Sequence, residues 1–198
     1  MSIFYKSAGK ILVLVFAVAA INLLLWSWPG AAADMSKTVE MCVVCHGEAG
    51  RPTTPDAGVI QGQHFYYLYL QLKDYKAGRR HNEIMGSIVA DLSREELKAL
   101  AQYFSEQSWP TVDFRVTAED IARAESAANA GQCAQCHLGG YEGNSGVPRL
   151  VGQQPDYLER TMLEYRDKIR LNSRDKVTLL ATYNDADIRA MARYLAGL

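Results

Sequence analysis

The residues in this chain that could do chemistry are its four cysteines, and they fall in two runs of one pattern. The runs are Cys42-Val43-Val44-Cys45-His46 and Cys133-Ala134-Gln135-Cys136-His137. Two thiols three residues apart, followed at once by histidine, form the attachment signature of a c-type haem. The thiols add to the haem vinyl groups and the imidazole supplies one axial bond to iron. Cysteines at this spacing near a helix end face the same side, and the next residue turns its ring onto whatever they hold. Cys42, Cys45, Cys133 and Cys136 are therefore the candidate cofactor-binding residues, and His46 and His137 the candidate iron ligands, for two covalently bound haem c groups. A four-cysteine zinc site would leave the histidine after each pair without a purpose. A redox-active dithiol would need one pair only, usually in an α/β setting that the sequence lacks.

The elements that must position these groups repeat. Gly62-Gln63, Tyr67-Leu68 and Tyr75 follow the first motif, and Gly152-Gln153, Tyr157-Leu158 and Tyr165 follow the second. Each half closes on a similar segment, residues 97–104 against residues 188–195, and such self-similarity is the mark of a duplicated unit. Ser93 with Glu96 forms a capping box, Asn184 with Asp187 a looser one, and Thr117 caps the helix leading into the second motif. Apolar residues recur at helical spacing, and no alternating strand pattern stands out. The sequence thus predicts an all-α protein of two small domains, residues 34–108 and 118–198, each with about three main helices around one haem. Residues 109–117, opening on Trp109-Pro110, join them. Domains of this size have little core of their own, and a buried porphyrin supplies apolar mass.

Residues 1–33 read as a leader: Lys6 and Lys10, an apolar run over residues 11–25, then Ala31-Ala32-Ala33. Basic start, apolar middle and small-residue exit describe a secretory signal peptide cleaved after Ala33. An uncleaved membrane anchor is the alternative, since the tryptophans that follow extend the run towards spanning length. Either places the body of the protein outside the cytoplasm. The net charge is −1, and loss of the two leader lysines would take it to −3. No basic face is visible, which argues against a nucleic-acid partner.

With these residues in view, residues 34–198 resemble a dihaem class I cytochrome c of the cytochrome c4 group. The resemblance rests on the tandem Cys-x-x-Cys-His, the Gly-Gln-x-x-Tyr-Leu helix start and the loop leading into a Leu-Ser-capped final helix. The dihaem subunit of flavocytochrome c sulfide dehydrogenase is similar. The resemblance implies a periplasmic electron carrier rather than an enzyme, with histidine and methionine on both irons. It implies redox partner proteins: a membrane oxidase, a cytochrome complex or a flavoprotein dehydrogenase. An electron-accepting subunit of a sulfur-compound dehydrogenase is a further reading. A gas-binding protein is another, if the second iron has an open site.

Met85, in Asn82-Glu83-Ile84-Met85-Gly86, stands where the resemblance places the sixth ligand of the first haem. His81 is its competitor. The second half departs from the pattern, because its corresponding loop holds no methionine. Counting back from the closing helix sets Lys176 opposite Met85, and a slip of one residue would set Asp175 there. Lys176 could bind iron as a neutral amine, at a deprotonation cost of roughly 4–5 kcal/mol that an iron–nitrogen bond could offset. Met162 or Met191 could reach in from a helix, or the site could be open. Arg79, Arg80 and Arg170 are candidate propionate partners. Pro148 resembles the family proline whose carbonyl steadies the haem histidine, and Gly58-Val59-Ile60 stands there in the first half.

Overall fold

In this computed structural model, residues 35–111 and 113–198 are described. The expected leader, residues 1–33, lies outside them. Among the described residues no helix is long and apolar enough to cross a membrane. The described residues contain helices, turns and one isolated bridge between Asn144 and Val147, and no strand.

The first half holds α1 (Ser36–His46), α2 (Phe65–Lys76), α3 (Glu83–Val89) and α4 (Arg94–Ser105). The second holds α5 (Ala118–Ala130), α6 (Cys133–His137), α7 (Pro155–Arg166), α8 (Arg174–Leu180) and α9 (Asp185–Gly197). The expected caps form. Ser93 Oγ accepts from Glu96 N–H, and the Glu96 carboxylate accepts from Ser93 N–H at 2.7 Å. Thr117 and Asn184 accept from the backbone N–H of Asp120 and Asp187. Each cap satisfies a donor that the first turn of a helix leaves unpaired.

In the first half α2 packs on α4, and the shared core gathers Leu68, Tyr69, Val89, Leu97, Leu100 and Phe104. In the second, α9 packs on both α5 and α7. Ala124 and Ala127 of α5 join Ala190 and Ile188 of α9 in one core cluster, the small residues allowing the two helices to approach closely. By contrast α1 and α6, which carry the thiols, have no buried residue. Their cysteines and histidines line a cavity, and Cys42 and Val43 also touch the edge of the first-half core.

The two motifs are presented differently. Cys42 to His46 form the last turn of α1, which ends at Gly47 with φ 75°. Before the second motif α5 stops, and Gln132 turns left-handed (φ 52°, ψ 37°) so that Cys133 to His137 become a separate short helix. The linker also packs on the helix starts it passes. A Cβ on Gly62 would stand 2.5 Å from the Trp109 backbone nitrogen, so only glycine fits beside it.

Candidate haem sites

Both motifs open onto one cavity of about 430 Å³ between the halves, lined by all four cysteines, His46 and His137. No disulfide joins any of the four cysteines. They do not converge: among the described residues no three His, Cys, Asp or Glu side chains are placed to hold a metal ion together. That geometry suits two separate attachment sites and not one zinc centre.

Each histidine is held by its Nδ1. His46 donates to Gly58 O at 2.6 Å and His137 to Pro148 O at 3.0 Å, which leaves Nε2 of each ring free for a metal. The expected departure at Gly58 therefore does not cost the contact. A Cβ at position 58 would sit 3.0 Å from the Tyr157 ring, so glycine is there because an aromatic from the other half packs on it. Burial lowers the pKa of His46, and it takes His137 down to about 4, helped by the charge of Lys176. Both imidazoles are thereby kept in the neutral form that binds iron.

Met85 is the third residue of α3 and half-buried, and it lines the cavity. Asn82 caps that helix by accepting from the Met85 N–H at 2.8 Å. His81 is exposed and does not line the cavity. Lys176 is the third residue of α8, the same place that Met85 takes in α3. The extra residue of the second half is absorbed before α8 begins, and both Lys176 and Asp175 line the cavity, with Asp175 the more exposed. Lys176 Nζ lies 5.5 Å from the centroid of the Tyr165 ring, and burial brings its pKa down to about 8. Met162 packs against the core of the second half, and Met191 is 4% exposed within it. Both also touch the cavity wall.

The arginines separate into two kinds. Arg79 turns outward to Asp74 at 2.8 Å, whereas Arg80 and Arg170 are 4% and 2% exposed. Arg80 donates to Gln71 Oε1 and the Tyr157 hydroxyl, and Arg170 to Asn172 Oδ1 and Gln71 Oε1. None of these acceptors is a carboxylate, and Nη1 of Arg170 has no partner. Two buried guanidiniums to which no carboxylate is hydrogen-bonded are unfavourable unless an anion arrives. Haem brings carboxylates, so the cationic lining and the thiols that face the same cavity fit two haem groups. His64, whose ring contacts Glu142 O at 2.8 Å, has no place in either site.

The side chains that spacing alone did not single out are Gln63, Gln153 and Tyr157, each of which bonds across the seam between the halves. Their only trace in the sequence is their recurrence in the repeat.

A helical tandem with an attachment motif and a histidine–carbonyl contact in each half defines a two-haem c-type cytochrome. No protein-family model matches the chain. The cytochrome c4 of Thiocapsa roseopersicina is 31% identical over 180 residues, covering 84% of this chain and 91% of that protein. A thiosulfate dehydrogenase electron acceptor of Thiomonas intermedia is 32% identical over 197 residues, covering 92% and 89%. The solved cytochrome c4 of Acidithiobacillus ferrooxidans superposes with a TM-score of 0.73 at 26% identity, covering 80% of this chain and 99% of that one. The chain belongs to the cytochrome c4 family, carries two covalently bound haem c groups and serves electron transfer.

Proposed function

We propose that this protein is a periplasmic carrier of single electrons between a respiratory or periplasmic dehydrogenase and a terminal acceptor such as an oxidase. The observation that carries the reading is the single cavity shared by both attachment motifs, with Arg80 and Arg170 buried in its lining. Haem supplies the reversible one-electron chemistry, and the protein sets its potential and its exposure. In this reading residues 34–108 and 118–198 are the two cytochrome domains. Cys42 and Cys45 anchor the first haem and Cys133 and Cys136 the second. His46 and His137 are the axial imidazoles, each oriented by a backbone carbonyl.

Met85 is the sixth ligand of the first haem. Its thioether is soft and neutral and favours ferrous iron, which raises the potential. Lys176 is the sixth ligand of the second, since it holds in α8 the place that Met85 holds in α3. An amine favours ferric iron relative to a thioether, so the two haems are unequal and the first is reduced before the second.

The identity of the donor is a finer matter, and one relative bears on it. The 32% identity to an electron acceptor of thiosulfate dehydrogenase, over most of both chains, favours a thiosulfate-oxidising enzyme as the donor. The test is to mix oxidised holoprotein with purified thiosulfate dehydrogenase and thiosulfate, and to follow haem reduction by stopped-flow absorbance. Reduction in two resolved one-electron phases supports the carrier and its donor. Reduction by ascorbate but not by that enzyme removes the donor and leaves the carrier. Turnover of thiosulfate by the chain alone overturns the carrier reading.

A further inference from the structure

The carbonyl that holds each histidine belongs to a peptide group whose N–H lies on the next residue: Val59 after Gly58, and Arg149 after Pro148. Both N–H groups are taken up by the opposite half. Val59 N–H donates to Gln153 Oε1 at 2.7 Å, and Arg149 N–H donates to Gln63 Oε1 at 2.9 Å. The grip is two-pronged in each case. Gln153 Nε2 donates back to Val59 O at 3.0 Å and Gln63 Nε2 to Arg149 O at 2.9 Å. Each Oε1 also accepts the N–H of the following residue, Gln154 or His64, so neither side-chain amide is free to turn. Gln63 and Gln153 are 2% and 3% exposed.

From this geometry we infer that Gln153 tunes the haem held by His46, and Gln63 the haem held by His137, each across the seam through one peptide group. Both glutamines are positioning residues: they touch the peptide and not the iron ligand. A peptide group that donates through its N–H becomes a better acceptor at its carbonyl, because successive hydrogen bonds polarise one another. A better acceptor at Gly58 O draws on the Nδ1–H of His46 and makes the ring a more basic ligand. A more basic ligand favours ferric iron. The side-chain amide also fixes the plane of the peptide, and with it the direction along which the imidazole is held. Glutamines that merely joined the halves would disturb both haems equally, or neither. The crossed wiring predicts that each disturbs only the haem of the other half.

The inference rests on His46 and His137 being the axial ligands. The experiment is an NMR redox titration of the holoprotein carrying Gln153→Leu or Gln63→Leu. Haem methyl resonances are assigned to the first site by contacts to Ile88 and to the second by contacts to Leu180. The expected result is a raised potential at the first haem in Q153L, with the second at its wild-type value, and the reverse in Q63L. A shift at the haem of the variant's own half, equal shifts at both, or no shift overturns the inference. If the leucine variants do not hold haem, Gln153→Asn and Gln63→Asn shorten the reach while keeping a polar group, and the same crossed pattern is required of them. If these also fail, hydrogen exchange on the wild type decides. Val59 and Arg149 amides exchanging as fast as exposed loop amides overturn the clamp, and strong protection of both supports it. A wild-type iron without histidine ligation overturns the ligand assignment itself, which is distinct from unshifted potentials on histidine-ligated irons.

Discussion

Arg80 and Arg170 hold equivalent places in the two halves, each with its guanidinium carbon 4.5 Å from the ring centroid of the tyrosine five residues earlier, Tyr75 or Tyr165. They part in what they reach. Arg80 crosses to the Tyr157 hydroxyl at 3.1 Å, while Arg170 crosses to Gln71 at 2.7 Å. The repeat is therefore symmetric in its stacking and asymmetric in its hydrogen bonds. Burial by itself would raise the Tyr157 pKa, and the two guanidiniums outweigh it and hold the hydroxyl below the usual phenol range.

Removing that hydroxyl tests the seam. Tyr157→Phe keeps the ring against Gly58 and takes one acceptor from a buried cation. A hydrogen bond to a charged group contributes about 2 kcal/mol, and a loss of that size is expected in denaturant unfolding of the holoprotein. A loss within error of zero would mean that Arg80 is satisfied by another acceptor.

The sixth ligand of the second haem is open to a direct test. Oxidised wild-type protein is expected to give two low-spin signals in low-temperature EPR, and Lys176→Ala to lose one of them or convert it to high spin. Two low-spin signals indifferent to the substitution would move the assignment to Met162 or Met191. A high-spin signal already present in wild type would mean an open site.

Asn82 links a helix cap to the proposed sixth ligand, because its side chain accepts from the backbone N–H of Met85. Asn82→Ala is expected to cost about 1 kcal/mol of stability, as losses of such caps do. It should also weaken the methionine–iron charge-transfer band in the near infrared. Ser93→Ala removes an equivalent cap from α4 and should cost a similar amount while leaving that band unchanged.

Gly58 is a tight point of the histidine support in the first half. In Gly58→Ala the new Cβ meets the Tyr157 ring at 3.0 Å, so the ring or the loop must give way. Overpacking of this kind costs about 1–3 kcal/mol. The expected readouts are a lower unfolding midpoint and an altered EPR signal from the first haem.

The capping box of α4 carries a pH signature. Bonding to Ser93 holds the Glu96 carboxyl below its ordinary value of 4.5. A group with a depressed folded-state pKa contributes its stabilisation above the unfolded value and loses it as pH falls through the folded one. Amides in the first turn of α4 are therefore expected to lose hydrogen-exchange protection below about pH 4.5, relative to the rest of the helix. Glu96→Gln should flatten that dependence.

What spacing alone determined was local. Thiols three apart beside a histidine state their chemistry within five residues, and the caps at Ser93, Thr117 and Asn184 act within one turn of the chain. The main helices followed from the apolar period, whereas the segments of Met85 and Lys176, read as loops, are the short helices α3 and α8. The duplication followed from the recurrence of Gly-Gln and Tyr-Leu. Tertiary structure alone decided what depends on residues far apart in sequence. One such outcome is that Lys176, and not Asp175, holds the place of Met85, because the extra residue is taken up before α8 begins. Another is that Gly58 still supports His46, with Tyr157 packed where a Cβ would stand. The crossed bonds of Gln63 to Arg149 and of Gln153 to Val59 span 86 and 94 residues. Contacts that distant leave no periodicity or short-range spacing to read, since they exist only once two separately formed halves close on each other.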